Sequence, residues 1–313
     1  MSIPILHTSD AWYVQTAAGA ARIDTFAVTT AELIADRAAV EAARTSTTTV
    51  PVEELDLVSP VTAPCRIVAQ MTNFRSHVID SGMNPNTVPL TFFRKTSGSI
   101  SGPYADVVKP AHVRFLDYEV EIGIVLGKEV TVGSMATVDD VADYVAGLVI
   151  TNDISARDLQ LPKTQFFESK SYPTFTPVGP VLLLLEPGEF NRFNDLRLTL
   201  AVNGEVRQNA LVSQDMVFAP GEAVQALSRF QKLEPGDLLM TGTPAGTALS
   251  APPKPLEIIA TLLPTQLKWK AFFQRQATNP KYLHDGDVME LAIATDDGVL
   301  DLGVQRTKVL YAG

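Results

Sequence analysis

Acidic residues alternate with apolar ones in the segment FLDYEVEIGIVLGKEV, residues 115–130. Asp117, Glu119 and Glu121 occupy every second position, and a strand with this period points all three carboxylates to one face. Two carboxylates about 6 Å apart repel each other by roughly 3 kcal/mol at an effective dielectric near 20. The pattern therefore indicates either a strand face open to solvent or a group of oxygen ligands around a hard cation.

A second acidic segment, TNDISARDLQ at residues 151–160, follows the apolar run VAGLVI. Asp153 is placed where a buried strand ends, and strand ends are favoured positions for functional groups. An aspartate in this position is also a common turn former or helix N-cap. Taken alone, the segment leaves both interpretations open.

The two segments together resemble the fumarylacetoacetate hydrolase family, in which E-x-E is followed by N-D-x-S-A-R-D. Five further segments agree in order and approximate spacing: TNFRSH at 72–77, SKSYPTFTPVGP at 169–180, VNGEVRQ, PGDLLMTGTPAG and GDVMELAI. The resemblance covers about residues 65–248 and 283–313. It implies a fold that is α+β and strand-rich, a mixed β-sandwich roll with a small N-terminal domain.

The resemblance implies roles for nine residues. Glu119, Glu121 and Asp153 correspond to metal ligands, and three carboxylates suit Mg²⁺ or Mn²⁺, with Ca²⁺ as an alternative. Lys170 is the expected nearby cation, and His77 is the expected general base on a helical lid, oriented by Asp80. Arg157, Gln160 and Thr243 are candidate substrate contacts, or simply groups that hydrogen-bond within loops.

Three positions depart from the family pattern. Asp80 stands where a glutamate is typical, so its contact with His77 depends on a shorter side chain. Phe74 replaces a tyrosine, and Pro173 stands where many members have aspartate. His112, just before the acidic strand, is a reserve candidate for the base.

The chemistry implied by the resemblance acts on small β-diketo or 2-oxo acids. We expect a metal-dependent hydrolase that cleaves a C–C bond through a metal-stabilised enolate. An isomerase or decarboxylase of a 2-hydroxy-dienedioate in aromatic catabolism is the alternative, and a non-catalytic metal-binding homologue is another. A serine hydrolase is disfavoured, because Ile100 occupies the nucleophile position of GSISG, the nearest match to G-x-S-x-G.

Composition limits the partners. The 313 residues carry a formal net charge of -10 and show no cluster of basic residues, which argues against nucleic-acid and anionic-membrane surfaces. The single cysteine, Cys65, excludes an internal disulfide and is typical of a reducing compartment. The sequence shows no signal peptide and no apolar run long enough to span a bilayer. We expect a soluble, cytoplasmic protein, and the resemblance implies a homodimer.

The chain divides into a small N-terminal α/β domain, residues 1–62, and a catalytic domain, residues 63–313, with an insertion at about 249–280. Strands are predicted near 66–71, 117–127, 145–152, 180–185, 196–202, 205–209, 238–241, 287–294 and 299–309. Helices are predicted at 30–44, from Thr137 with Asp140 completing a capping box, and from Pro220. Within the insertion, Trp269, Phe272 and Phe273 form a stripe that we interpret as packing or a subunit contact rather than a binding site.

Overall fold

Strands dominate the protein. The computed structural model describes residues 1–134, 138–163, 165–251 and 264–313. In chain order the strands are β1 (Ile3–His7), β2 (Trp12–Thr16), β3 (Gly19–Arg22), β4 (Ile67–Met71), β5 (Thr91–Lys95), β6 (Ile100–Ser101), β7 (Val107–Lys109), β8 (Leu116–Asp117), β9 (Val120–Leu126), β10 (Val145–Asn152), β11 (Ser155–Ala156), β12 (Thr176–Pro177), β13 (Leu182–Leu184), β14 (Leu196–Val202), β15 (Glu205–Leu211), β16 (Leu238–Met240), β17 (Val288–Thr295) and β18 (Asp301–Tyr311).

The described helices are short and connect or cover the strands. They are α1 (Thr30–Ala35), α2 (Arg37–Arg44), α3 (Arg75–Asp80), α4 (Arg157–Gln160), α5 (Phe167–Lys170), α6 (Val212–Asp215), α7 (Pro220–Ser228) and α8 (Thr265–Gln276), with 3-10 turns at Val52–Glu54, Ser97–Ser99, Val138–Asp143 and Glu189–Asp195. The helix predicted at 30–44 is divided at Asp36, whose side chain accepts from the Ala39 amide and so begins α2.

Two sheets form the body of the fold. A nine-stranded sheet has the order β3-β2-β1-β13-β10-β9-β16-β4-β5, and a five-stranded sheet has the order β15-β14-β17-β18-β7. One buried cluster contains side chains of both, including Ile122 and Ile124 from the larger sheet and Leu198 and Leu291 from the smaller. The two sheets therefore share a core. Both are mixed, because β16 runs parallel to β4 and β18 parallel to β7. The predicted strand-rich α+β fold is confirmed.

The hairpin of β14 and β15 shows how local sequence sets this architecture. Asn203 and Gly204 between the strands have φ values of 52° and 79°. Asparagine and glycine tolerate this left-handed region better than other residues, which is why the pair predicts a tight hairpin.

The acidic strand predicted at 117–127 is interrupted. Asp117 lies in β8, which pairs with β11, whereas Glu121 lies in β9 of the large sheet, and residues 118 and 119 belong to neither strand. The side chains of β9 are all buried, so the strand has no solvated face. The prediction that the three carboxylates share one face of a single strand was wrong, because only Glu121 lies within β9. The helix predicted from Thr137 begins outside the described residues, and Val138–Asp143 is a 3-10 turn.

The N-terminal strands extend the large sheet. β1 pairs antiparallel with β13 at Ile3–Leu184 and its neighbours. Ile5, Trp12 and Leu33 share a second buried cluster with Ile67 and Val125. The division at residue 62 stays a prediction. None of the helices that the structure describes has the length and apolar composition needed to cross a bilayer.

Candidate active site

Strand register brings the three predicted ligands together. β9 and β10 are antiparallel, with Glu121 opposite Thr151, and the Asp153 amide donates to the Glu119 carbonyl at 2.9 Å just beyond the paired strands. Glu119 and Asp153 lie one residue beyond β9 and β10, and this hydrogen bond continues the strand register to them, which places their side chains beside Glu121. One carboxylate oxygen from each lies within 4.8 Å of the other two, and all three side chains are buried.

Two lysines reach this carboxylate cluster from other elements. Lys170, the last residue of α5, places Nζ 2.6 Å from Glu119 Oε2 and 2.6 Å from Asp153 Oδ2. Lys95, the last residue of β5, donates from Nζ to Asp153 Oδ1 and to the Phe175 carbonyl. Both lysines are buried. Two lysines, rather than the single predicted one, therefore contact the cluster.

Burial and charge shift the pKa values of these groups in different directions. Burial alone would raise the pKa of Glu119, but Lys170, Arg157 and His77 bring it well below its usual range. Burial raises the pKa of Glu121 well above its usual range, and Asp153 and Glu119 add to the effect. Burial also lowers the pKa of Lys95. Glu121 is thus the carboxylate for which the protein itself provides too little positive charge.

The cluster fits a divalent cation. Its donors are hard carboxylate oxygens, which suit Mg²⁺, Mn²⁺ or Ca²⁺ better than softer metals. Burial and the neighbouring carboxylates of Asp153 and Glu119 raise the pKa of Glu121, and a bound cation would offset both effects. Glu121 is further held in place by the Gly242 amide, which donates to Oε2 at 2.9 Å.

Gly242 allows the loop that follows β16 to approach the carboxylate cluster. It has a φ of +84°, and a Cβ added there would lie 2.8 Å from the Asn73 Cβ. The side-chain Nδ2 of Asn73 in turn donates to the Thr241 carbonyl at 2.9 Å, and the side-chain Oδ1 accepts from the Phe218 backbone amide. These bonds fix the start of α3 beside the carboxylates.

His77 lies on α3 and lines the same cavity as Glu119 and Glu121. Its Nδ1 is buried and has no hydrogen-bond partner among the described residues. Burial lowers the pKa of His77, so its imidazole is neutral at neutral pH and able to accept a proton. Asp80 lies one turn later as predicted, yet no described hydrogen bond joins its carboxylate to His77.

The predicted substrate contacts also line the cavity, but each has protein partners. Arg157 donates from Nη2 to Glu119 Oε1 at 2.6 Å and from Nη1 to Gln160 Oε1 at 2.8 Å. Thr243 accepts at Oγ1 from Gln208 Nε2 at 2.8 Å. Arg157 therefore orients Glu119, and the contacts of these three residues with a substrate remain a proposal.

Asp117 has a structural role that the alternating pattern did not indicate. Its carboxylate accepts from Arg157 Nε at 2.8 Å and from the amides of Ala248 and Leu249 at 2.8 and 3.0 Å. It ties the start of the insertion to the arginine that contacts Glu119. His112, the reserve base, is exposed and interacts through Nε2 with the Tyr172 hydroxyl at 2.8 Å, and it is not among the cavity-lining residues.

A cavity of about 760 Å³ opens above the carboxylate cluster. Beyond the charged groups, its wall includes Phe93, Phe166 and, from α8, Trp269 and Phe272. Within the insertion's aromatic stripe, Phe273 stacks on Phe115 at 5.7 Å between ring centroids, and Trp269 and Phe272 pack against Phe273. Trp269 and Phe272 also line the cavity, which sequence spacing could not show, and a subunit contact stays a prediction.

Comparison with known proteins identifies the family of the chain. Residues 66–310 match the family described as fumarylacetoacetate (FAA) hydrolase C-terminal. The chain belongs to the fumarylacetoacetate hydrolase family. The resemblance first indicated by E-x-E and N-D-x-S-A-R-D is confirmed.

Curated relatives in the family carry different activities in their names. The chain is 37% identical over 246 residues to oxaloacetate tautomerase YisK of Bacillus subtilis, covering 77% of this chain and 70% of that protein. It is 33% identical over 251 residues to 2,4-didehydro-3-deoxy-L-rhamnonate hydrolase of a Sphingomonas strain, covering 80% and 75%. It is 33% identical to the mitochondrial oxaloacetate tautomerase Fahd2a of Rattus norvegicus, covering 65% of this chain and only 63% of the rat protein.

Among solved structures, the chain resembles a "probable 2-hydroxyhepta-2,4-diene-1,7-dioate isomerase" from Mycobacterium abscessus. The TM-score is 0.76 with 28% identity, and the match covers 100% of both chains. Relatives thus include hydrolases, tautomerases and an isomerase, so family membership indicates an enzyme without selecting the reaction.

Proposed function

We propose that the protein is a metal-dependent enzyme that hydrolyses a C–C bond in a small β-diketo or 2-oxo acid. The observation that carries the proposal is a single cavity lined by His77, Glu119, Glu121 and Lys170, with the buried pair of Asp153 and Lys95 directly behind it. The Nδ1 atom of His77 has no hydrogen-bond partner among the described residues. The carboxylates provide a cation site, the lysines attract an anion, and the imidazole accepts a proton.

Substrate binding follows from the charges. Glu119, Glu121 and Asp153 would hold Mg²⁺ or Mn²⁺, and such an ion supplies Lewis-acid stabilisation to negative charge on nearby substrate oxygens. The three carboxylates, a divalent ion and Lys170 together sum to zero charge. Lys95 and Arg157 add positive charge around the cluster, offset in part by Asp117, so the site favours a carboxylate-bearing substrate.

The hydrolytic step uses His77 as the base. The imidazole takes a proton from water, and the hydroxide forms a bond to the distal carbonyl carbon of the substrate. The C–C bond to the 2-oxo acid portion then breaks, and its electron pair leaves as an enolate beside Lys170. The proton held by His77 neutralises the enolate carbon, giving a carboxylic acid and a 2-oxo acid.

Keto–enol tautomerisation of a 2-oxo diacid is the second candidate. It is favoured by the 37% identity to a protein named as an oxaloacetate tautomerase. It is also favoured by the absence, among the described residues, of a hydrogen bond that would fix His77 to Asp80 for activation of water. The cavity volume of about 760 Å³ favours hydrolysis, because an acyl substrate fills more of it than a four-carbon diacid.

The test is to incubate the protein with Mg²⁺ and an acylpyruvate and to identify the products. Hydrolysis yields pyruvate and the free acid, whereas tautomerisation only changes the diketo-enol absorbance. We expect the His77→Ala variant to lose about 10²–10⁴-fold in kcat with unchanged Mg²⁺ affinity. His112→Ala is the matched control and should keep full activity. Unchanged turnover in His77→Ala would remove His77 as the base.

The pH dependence of kcat/KM tests the role of His77 independently. Burial lowers the pKa of His77 below its ordinary value of 6.5. Since the neutral form is the active base, kcat/KM should fall with decreasing pH only below that value.

The homodimer implied by the family resemblance is a separate proposal, and light scattering on the purified protein would test it.

A further inference from the structure

We infer that α8 is a specificity element and that the cavity accepts 2-oxo acids whose distal group is aromatic. This inference rests on the proposed function for the oxo-acid end of the substrate only. It concerns the far side of the cavity, where the insertion contributes Lys268, Trp269, Ala271, Phe272 and Arg275.

The volume of the cavity requires a larger occupant than a small oxo acid. About 760 Å³ lies within the range of roughly 300–1,000 Å³ that proteins use for drug-sized ligands. A pyruvate unit at the carboxylate cluster would leave most of this space unfilled. The remaining wall therefore recognises another part of the substrate.

The wall is aromatic in two places. Phe93 and Phe166 meet edge to face at 5.6 Å, and the Phe93 ring lies 5.3 Å from Lys170 Nζ, next to the charged cluster. Trp269 and Phe272 meet edge to face at 5.9 Å on α8. Aromatic rings favour edge-to-face and offset-stacked partners, so a ring on the substrate fits this lining better than a flexible polar chain.

α8 is held so that one face meets the cavity. Lys268, Phe272 and Arg275 are spaced by four and three residues and so share a helix face. The other side is anchored, with Phe273 stacked on Phe115 and the Tyr282 hydroxyl donating to Gln276 Oε1 at 2.9 Å. Asn279, just after the helix, donates to the Ala248 carbonyl at 2.8 Å. The orientation of Phe272 is therefore built into the packing.

An anionic distal group is the competing occupant, since Lys268 and Arg275 also lie at the cavity. Both side chains are exposed to solvent, whereas Trp269 and Phe272 are half-buried. Lys268 additionally lies 5.7 Å from the Trp269 ring centroid, in the geometry of a cation–π contact. Solvated cations contribute little to binding, so the aromatic pair determines the preference.

The experiment compares benzoylpyruvate, acetylpyruvate and succinylpyruvate as substrates with Mg²⁺. We expect the highest kcat/KM for benzoylpyruvate, and we expect Phe272→Ala to lower the benzoylpyruvate-to-acetylpyruvate ratio by about ten-fold. Phe272→Leu, which keeps an apolar side chain, should lower the ratio less. Leu267→Ala is the control, because Leu267 is an exposed residue of the same helix outside the cavity lining, and it should leave the ratio unchanged.

Three results would overturn the inference: a preference for acetylpyruvate or succinylpyruvate, an unchanged ratio in Phe272→Ala, or an equal change in Leu267→Ala. Calorimetric binding of phenylpyruvate and pyruvate in Mg²⁺ separates this inference from the proposed reaction. If no acylpyruvate is cleaved but phenylpyruvate binds more tightly than pyruvate, and Phe272→Ala removes the difference, the hydrolase proposal fails and the aromatic subsite stands. If phenylpyruvate has no advantage, the subsite fails.

Discussion

At the scale of single residues, charge balance around Asp153 decides what the site can hold. Lys95 and Lys170 contact different oxygens of the Asp153 carboxylate. A buried carboxylate that loses one partner keeps the cost of desolvation without the compensating attraction. Stability of the metal-free protein and affinity for a cation are therefore linked through Lys95.

We expect Lys95→Met to lower the free energy of unfolding of the metal-free protein by about 3 kcal/mol or more. Removal of a positive charge beside the ligands should also raise Mg²⁺ affinity, so added Mg²⁺ should restore part of the lost stability. Urea denaturation with chelator and with Mg²⁺ measures both effects.

Lys163→Met is the control for Lys95→Met, because Lys163 pairs with Glu168 at an exposed position. It should change neither quantity appreciably. A Lys95→Met protein as stable as wild type without metal would contradict this account of the cluster.

Residue patterns predicted the site unevenly. The alternation of Glu119 and Glu121 and the position of Asp153 after an apolar strand left a solvated face and a cation site both open. The family resemblance selected the cation site, and strand pairing brings the three carboxylates together. Lys95 was not among the predicted site residues, because its buried position depends on contacts with Asp153 and Phe175, which are distant in sequence. Asp117 continued the alternation in the sequence, but it lies in β8, a separate strand that ends before β9 begins.

At the scale of elements, Asp117 connects β8 to α4 and to the start of the insertion. Its carboxylate accepts from Arg157 and from three backbone amides, and Arg157 also contacts Glu119. The position of the cavity wall and the orientation of Glu119 thus both depend on the Asp117 side chain.

Asp117→Asn should lower the free energy of unfolding by about 3 kcal/mol, because it removes the charge opposite a buried Arg157. Chemical denaturation measures the loss. Asp296→Asn is the matched control, since Asp296 pairs with Arg197 at an exposed site and should matter little. Equal stability of the two variants would contradict the structural role of Asp117.

At the scale of the whole molecule, the nine-stranded sheet runs through the proposed domain boundary. β1 pairs with β13, and side chains from α1 and β2 share a buried cluster with β4 and β9. Sequence composition predicted a separate unit at 1–62, because edge strands and a short helix pair look the same whether they close a small domain or extend a large sheet.

We expect the protein to unfold in one calorimetric transition, because separating residues 1–62 would expose the β13 edge and the shared apolar cluster. The calorimetric and van't Hoff enthalpies should then agree. Two separable transitions would instead support an independent N-terminal domain.

The central claim is that Glu119, Glu121 and Asp153 hold a divalent cation. Titration of Mg²⁺ or Mn²⁺ into chelator-treated protein by isothermal calorimetry tests it most directly, with Glu121→Gln as the variant and Glu168→Gln, at an exposed position away from the cluster, as the control. We predict uptake of one ion per chain by the wild type and the control, and affinity at least about ten-fold weaker in Glu121→Gln. Absence of uptake by the wild type, or equal affinity in Glu121→Gln, would contradict the claim.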